Sequence, residues 1–295
     1  MRKFIGVTLI FVAFALSVYA GVDKTTPIPI RSIEELQKIG NDDAYPLDGD
    51  YVMANDIDAS ATATWNPDGT GGYYGFGPIG RHVGFTGTFD GGGHTISNLY
   101  IRYPGNQNGL FGLVETAGVV ENLKTSGEYV EGALHTGGIV GLLRGTIRRC
   151  EVLEVEVHGY FVGGIAGIGA DGSVIEDCKA TGFVGNRGNN VLSGGGLAGY
   201  AASVENCMAS CAIDGEGIES HPSGGLVGGW YPSVIVNSYY DADVAGVPDM
   251  GKGTPKTTTE MKQQATFDGW DFKAIWTIDE GNDYPALQAV DLAHT

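Results

Sequence analysis

An all-β fold, a right-handed parallel β-helix of about five coils with a short N-terminal helical cap and a C-terminal cap, is what this sequence predicts. Three observations lead there. Glycine supplies 49 of 295 residues, against about 7% in average proteins, while 42% of the chain is hydrophobic. That mixture excludes disorder, which lacks apolar residues to bury, and points to short strands joined by tight turns. A five-residue glycine word returns along the chain. A second word follows each copy.

The glycine word reads Gly137-Gly138-Ile139-Val140-Gly141, Gly163-Gly164-Ile165-Ala166-Gly167, Gly195-Gly196-Leu197-Ala198-Gly199 and Gly224-Gly225-Leu226-Val227-Gly228, with a looser first copy at Asn108-Gly109-Leu110-Phe111-Gly112. The second-position glycines are 29, 26, 32 and 29 residues apart. A period of this length marks a solenoid, a propeller or an array, and propeller blades need longer repeats. The second word is Val120-Glu121-Asn122-Leu123, then Ile147-Arg148-Arg149-Cys150, Ile175-Glu176-Asp177-Cys178, Val204-Glu205-Asn206-Cys207 and Ile235-Val236-Asn237-Ser238. Its first and fourth sites are both apolar or small yet differ in parity, so a straight strand cannot bury both. A bend at the second and third sites resolves this, and Asn or Asp tolerates such a bend best.

Each repeat therefore reads strand, turn, strand, bend, strand, and like positions stack about 4.8 Å apart up the inside. Leu110, Ile139, Ile165, Leu197 and Leu226 form one predicted buried ladder. Cys150, Cys178 and Cys207 form an inward column, with Cys211 the fourth cysteine. That spacing permits one bridge, and cysteine is also a good small core residue, so a packed thiol ladder and a single bridged pair both stand. A right-handed winding is expected because parallel crossovers almost always take that hand.

The repeats resemble the GLUG-motif family, named for Gly-Leu-hydrophobic-Gly. Gly109-Leu110-Phe111-Gly112, Gly196-Leu197-Ala198-Gly199 and Gly225-Leu226-Val227-Gly228 match the motif, and the other two copies carry Ile for Leu. The flanks Phe85–Gly91, Gly93–Leu99 and Phe267–Phe272, with Trp276 and Tyr284-Pro285, are similar to those of such proteins. The resemblance implies a repeat module of bacterial surface and secreted proteins, adhesin-like ones and some immunoglobulin-A peptidases among them, in which the motif is not the catalytic part.

Four segments follow. Residues 1–20 read as a signal peptide: Arg2-Lys3, an apolar run from Phe4 to Leu16, and Val18-Tyr19-Ala20 as cleavage site. No later stretch is apolar enough to span a membrane. Residues 21–104 are an N-terminal cap and irregular first coil. There Ser32-Ile33-Glu34-Glu35 is a capping-box pattern that starts a helix, with Gly40 as its stop. Residues 105–245 are the repeats. Residues 246–295 are the C-terminal cap, with a short helix over 259–266 and Trp270, Phe272 and Trp276 laid over the last coil. With both caps in the chain, a complete domain is expected.

Losing Arg2 and Lys3 with the leader moves the formal charge from −18 to −20. Nucleic acid and anionic lipid need clustered Lys and Arg, so neither is expected as a partner. Gly167–Gly172 matches a dinucleotide fingerprint as text, but a strand pattern follows it where that fingerprint needs a helix. His135 and His158 read as loop residues. The acidic groups Asp56, Asp58 and Asp68, and Asp241, Asp243 and Asp249, suit calcium by composition, but their spacing matches no EF-hand loop; no cofactor is expected, with calcium the one possible exception. Two aromatic clusters stand out: Trp65, Tyr73, Tyr74 and Phe76 in a glycine-rich loop, and Trp230, Tyr231, Tyr239 and Tyr240 on the final coil. Exposed rings stack on sugars or anchor a protein partner, and the second cluster is the predicted binding face. The functional expectation is an exported, non-catalytic, adhesin-like protein at the bacterial surface, binding a surface glycan or protein. The alternative is a polysaccharide-degrading lyase or glycosidase on the same scaffold. Ice binding expects a flat repeated Thr face, which the period does not supply.

Overall fold

The computed structural model describes residues 26–185, 193–215, 217–218, 221–229 and 233–289; the signal-peptide region, Trp230 and Tyr231 lie outside them. The chain is an all-β parallel solenoid of about five turns with few helices. One face is an eight-stranded parallel sheet built from the strands Ile28–Ile30, Asp50–Met53, Thr88–Asp90, Val119–Glu121, Thr146–Arg148, Val174–Glu176, Ser203–Glu205 and Val234–Val236. A ten-stranded face follows after the bend and includes Lys124–Ser126, Glu151–His158, Lys179–Gly185, Met208–Ile213 and Tyr239–Asp241. Two four-stranded sheets complete the circuit. The first contains His135–Gly137 and Phe161–Gly163, the second Val140–Leu143 and Ala166–Gly169.

The glycine word lies at the corner between these two small sheets. Its backbone bonds run from coil to coil: Gly138 N–H to Gly164 O at 3.0 Å, Gly164 to Gly196 at 3.1 Å and Gly196 to Gly225 at 3.3 Å. A Cβ on Gly138 would lie 2.5 Å from both Gly164 O and Glu128 Oε1. Glycine is thus required by the close approach of stacked coils, and the word divides two strands where the sequence suggests a simple turn.

At the other repeated corner the backbone enters the left-handed region. Asn122, Arg149, Asp177, Asn206 and Asn237 have φ of 52°, 51°, 50°, 50° and 45°. These are the third sites of the second word, and their bend turns both flanking apolar sites inward. Left-handed backbone costs ordinary residues roughly 1–2 kcal/mol, least for Asn and Asp. Arg149 is the exception, and its guanidinium bonds Glu121 Oε2 at 3.0 Å.

Leu110, Ile139, Ile165, Leu197 and Leu226 occupy successive coils and are fully buried, each contributing roughly 1.5–3 kcal/mol of burial. Val120, Ile147, Ile175 and Val204 form a second buried row, and Ile235 at its end is half-buried. Cys150, Cys178, Cys207 and Cys211 are all buried free thiols. In the first three the Sγ–H donates to the carbonyl two residues earlier, at 3.3, 3.0 and 3.1 Å. Burial raises the pKa of Cys150 and Cys178 well above the ordinary thiol value and pushes Cys211 up to about 12. Glu128 is also interior: Thr125 Oγ1–H donates to its Oε1 at 2.8 Å, and burial lifts its pKa to about 7.

Helix α1 spans Ile33–Lys38. Ser32 Oγ accepts the Glu35 N–H at 3.3 Å, while the Glu35 carboxylate accepts from Arg31 N–H at 2.8 Å. Its Ile33 and Leu36 join the main core. The C-terminal segment departs from expectation. Residues 259–266 form two 3-10 turns, Glu260–Lys262 and Gln264–Thr266. The aromatics that follow pack on the outside of the ten-stranded face, where Met208 and Tyr239 join Met261, Phe267, Trp270, Trp276 and Leu287 in a second hydrophobic cluster. Polar contacts pin this strap across several coils. Trp270 Nε1–H donates to Asn237 O at 2.8 Å, and Tyr284 Oη–H to Asp241 Oδ2 at 2.7 Å. Leu287 N–H donates to Glu151 Oε1 at 3.1 Å, and Lys124 Nζ lies 3.0 Å from Glu151 Oε2.

Candidate functional site: a column of rings on the outer flank

Two members of the binding face expected from the sequence are interior. Tyr239 is 7% exposed and Tyr240 2%. Successive strand residues face opposite sides, so Tyr240 enters the solenoid core, while Tyr239 faces out and is covered by the strap, with Phe267 5.4 Å away edge-on. Neither offers a ring face to a ligand. In the N-terminal loop Phe76 is fully buried, and Tyr73 is 37% exposed.

The acidic groups are engaged in turns and in bonds to distant parts of the chain. Asp56 accepts from Thr95 N–H at 2.9 Å, Asp58 from Ser60 N–H at 3.0 Å and Asp68 from Thr70 N–H at 2.7 Å. In each case the backbone hydrogen bond holds the carboxyl below its usual pKa. Asp241 accepts from Asp243 and Val244 N–H, Thr258 and Tyr284. Among the described residues no three His, Cys, Asp or Glu side chains gather to hold a metal.

The rings that do gather lie elsewhere. Tyr100 and Tyr129 are register partners on the outer side of the ten-stranded face, stacked with centroids 5.2 Å apart and planes 12° apart. In the next coil the partner of Tyr129 is Glu156. There the ring comes from His158, two residues on and 5.5 Å from Tyr129. Phe183, the partner of Glu156, continues the column 5.7 Å from His158. Four consecutive coils each contribute one ring. His158 and His135 thus sit on strands, His158 closing Glu151–His158 and His135 opening His135–Gly137, in place of the loops expected for them. Around the corner His135 packs 5.8 Å from Phe161, and burial lowers its pKa.

Polar groups edge the column. Tyr129 Oη–H donates to Glu131 Oε2 at 2.6 Å, and Arg102 Nε lies 3.4 Å from the same oxygen. Glu131 raises the Arg102 pKa. His158 Nε2 pairs with Glu156 Oε1 at 2.8 Å. Towards the N-terminal end a cleft of about 330 Å³ opens between Asp68, Tyr74, Arg102, Tyr103 and Glu131. Tyr103, whose ring carries the Arg81 guanidinium at 4.0 Å, also borders a separate groove of about 740 Å³ beside Trp65, Arg81 and His82. Rings and hydrogen-bonding groups therefore adjoin along the column, from Arg102 and Glu131 to Glu156.

Sequence reasoning missed the column because a β-bulge between Val152 and Val155 shifts the register, with Glu154 at φ 55°. The faint signal available was the 29-residue interval between Tyr100 and Tyr129, which equals the first interval of the glycine word.

No family model matches the chain. Halomucin of Haloquadratum walsbyi is 38% identical over 162 residues, which cover 52% of this chain and 2% of that protein. A candidate Gly-rich membrane protein of Evansella cellulosilytica is 41% identical over 116 residues, covering 34% of this chain and 13% of that protein. The chain thus spans only a small part of these relatives' length. The crystal structure of a candidate immunoglobulin A1 protease from Bacteroides ovatus superposes with a TM-score of 0.60 at 17% identity, over 92% of this chain and 94% of that one. That likeness concerns the fold.

Proposed function

We propose that this chain is an exported, right-handed GLUG-type solenoid that acts outside the cell without catalysis, recognising an extended surface glycan through the ring column of Tyr100, Tyr129, His158 and Phe183. The column carries the reading: four coils place one ring each on the same flank, beside hydroxyl, carboxylate and guanidinium groups. Rings supply apolar contact to sugar C–H faces, and the polar rim supplies the orienting hydrogen bonds. Relatives named as a halomucin and a membrane protein support an extracellular setting, as does the apolar leader that the sequence carries. No helix among the described residues is long and apolar enough to cross a membrane.

A glycan array probed with the chain lacking residues 1–20 tests this. Binding is expected, and the double substitution Tyr129→Ala/Phe183→Ala should abolish it while leaving the far-UV circular dichroism spectrum unchanged. Binding indifferent to that pair overturns the assignment of the column. Release of reducing or unsaturated ends from a polysaccharide replaces the reading with an enzymatic one.

A further inference from the structure

The ring column stops abruptly. Phe183 packs against His158 with the ring planes tilted by 47°, but its register partner in the following coil is Ala212, so that coil sets no ring against it from this position. Beside this end lies an open depression of about 750 Å³ bordered by Glu154, Glu156, His158, Phe183 and Asp214. Asp214 is fixed at its rim by a backbone bond to Val184 O at 2.9 Å. His158 is 5% exposed, and its Nδ1 has no hydrogen-bond partner among the described residues. The wall thus combines an aromatic ring, a rigidly held imidazole and three carboxylates, and among the described residues its lining holds no Lys or Arg.

Resting on the glycan reading above, we infer that this depression is a subsite for one sugar ring bearing a free, protonated amine, and that the preferred glycan is a polymer containing unsubstituted hexosamine. The pyranose packs its apolar C–H face against Phe183, on the side where the column lacks a fifth ring. The ammonium meets Glu154, Glu156 and Asp214, whose summed field concentrates cations. An N-acetylated sugar keeps the stacking but loses the charge attraction. A uronate is repelled both here and by a chain of formal charge −18.

Titration calorimetry with glucosamine oligosaccharides and their fully N-acetylated counterparts, at an acidic pH that protonates the amines, tests the inference. The free-amine series is expected to bind about tenfold more tightly, a difference of about 1.4 kcal/mol, and the preference should shrink with added salt. Ala212→Phe completes the column with the protein's own ring, a residue type that strands accept well; it should cost at least about tenfold in affinity at unchanged Tm. Glu156→Gln/Asp214→Asn should erase the preference for the amine yet leave weak binding of both series. Equal affinity for the two series, or full affinity in a folded Ala212→Phe variant, overturns the subsite. If glycan binding nevertheless survives and is lost in Tyr129→Ala/Phe183→Ala, the recognition reading stands without the subsite. If no glycan binds at all, both fall.

Discussion

Among its described residues the solenoid has two hydrophobic clusters that are built on opposite rules. The inner one is a stack: Leu110, Ile139, Ile165, Leu197 and Leu226 repeat one chemical choice at one site in every coil. The outer one is an assembly of unlike parts, in which Met208 and Tyr239 from the coils meet Met261, Phe267, Trp270, Trp276 and Leu287 from the C-terminal strap. Each inner residue leans mainly on the coil above and below, so damage there should propagate along the whole solenoid. The strap leans on a finished surface, so damage there should stay local.

The strongest way to break that contrast is a matched pair of truncations. Leu197→Ala should cost about 3–5 kcal/mol and lower the single global transition in thermal unfolding followed by far-UV circular dichroism. Trp276→Ala removes a fully buried indole, also worth about 3–5 kcal/mol, yet it should free the strap and leave the β-sheet signal intact, with limited proteolysis cutting after residue 256. A global collapse of the Trp276→Ala variant would show that the strap is part of the main folding unit.

A smaller effect concerns Glu128. Its folded pKa, about 7, lies above the model-compound value of 4.5, so the folded state holds a proton that the unfolded chain has released. Stability from this group is full below about pH 4.5, falls as pH rises, and levels off once pH has passed 7, a span of about 3 kcal/mol. Glu128→Gln keeps the shape without the titration. Its unfolding free energy in urea should therefore be flat across this window where the parent slopes downward, and higher than the parent's at pH 8. Parallel curves for the two proteins would remove Glu128 from the account.

The smallest effect sharpens the rule of the repeated bend. Arg149 occupies the left-handed position that Asn or Asp fills in the other four coils. Arg149→Gly relieves about 1 kcal/mol of backbone strain and loses a part-buried contact to Glu121, which Arg148 keeps paired at 2.8 Å, so a slight rise in Tm is expected. A fall would show that the Glu121 contact matters more than the backbone.

How much was legible in the sequence follows the same division. Ladder and bend sites were readable because each coil poses the same packing problem and the chain answers it with the same residue types. Asn122, Asp177, Asn206 and Asn237 announce the bend by chemistry, and the parity of Val204 and Cys207 requires it. The strap was not readable as a flank cover. Trp270 and Trp276 look like any cap aromatics until Glu151 and Lys124 are seen to bond Leu287, 136 and 163 residues away. Tyr239 shows the cost of reading position without cover: it does face outward, and distant chain buries it. The ring column stayed hidden because His158 enters it from a different register site than Tyr129 and Phe183.

The cysteine column has a use beyond packing. Cys150, Cys178 and Cys207 sit one to a coil, reduced, buried and unreactive while their coil is closed. They are therefore natural tags that report which coil opens. Under slow alkylation with mass detection, the order in which the three are modified gives the direction in which the solenoid frays, without any label being introduced. A simultaneous loss of all three thiols marks unfolding as a single event, whereas Cys207 leading or trailing Cys150 names the end that unzips first.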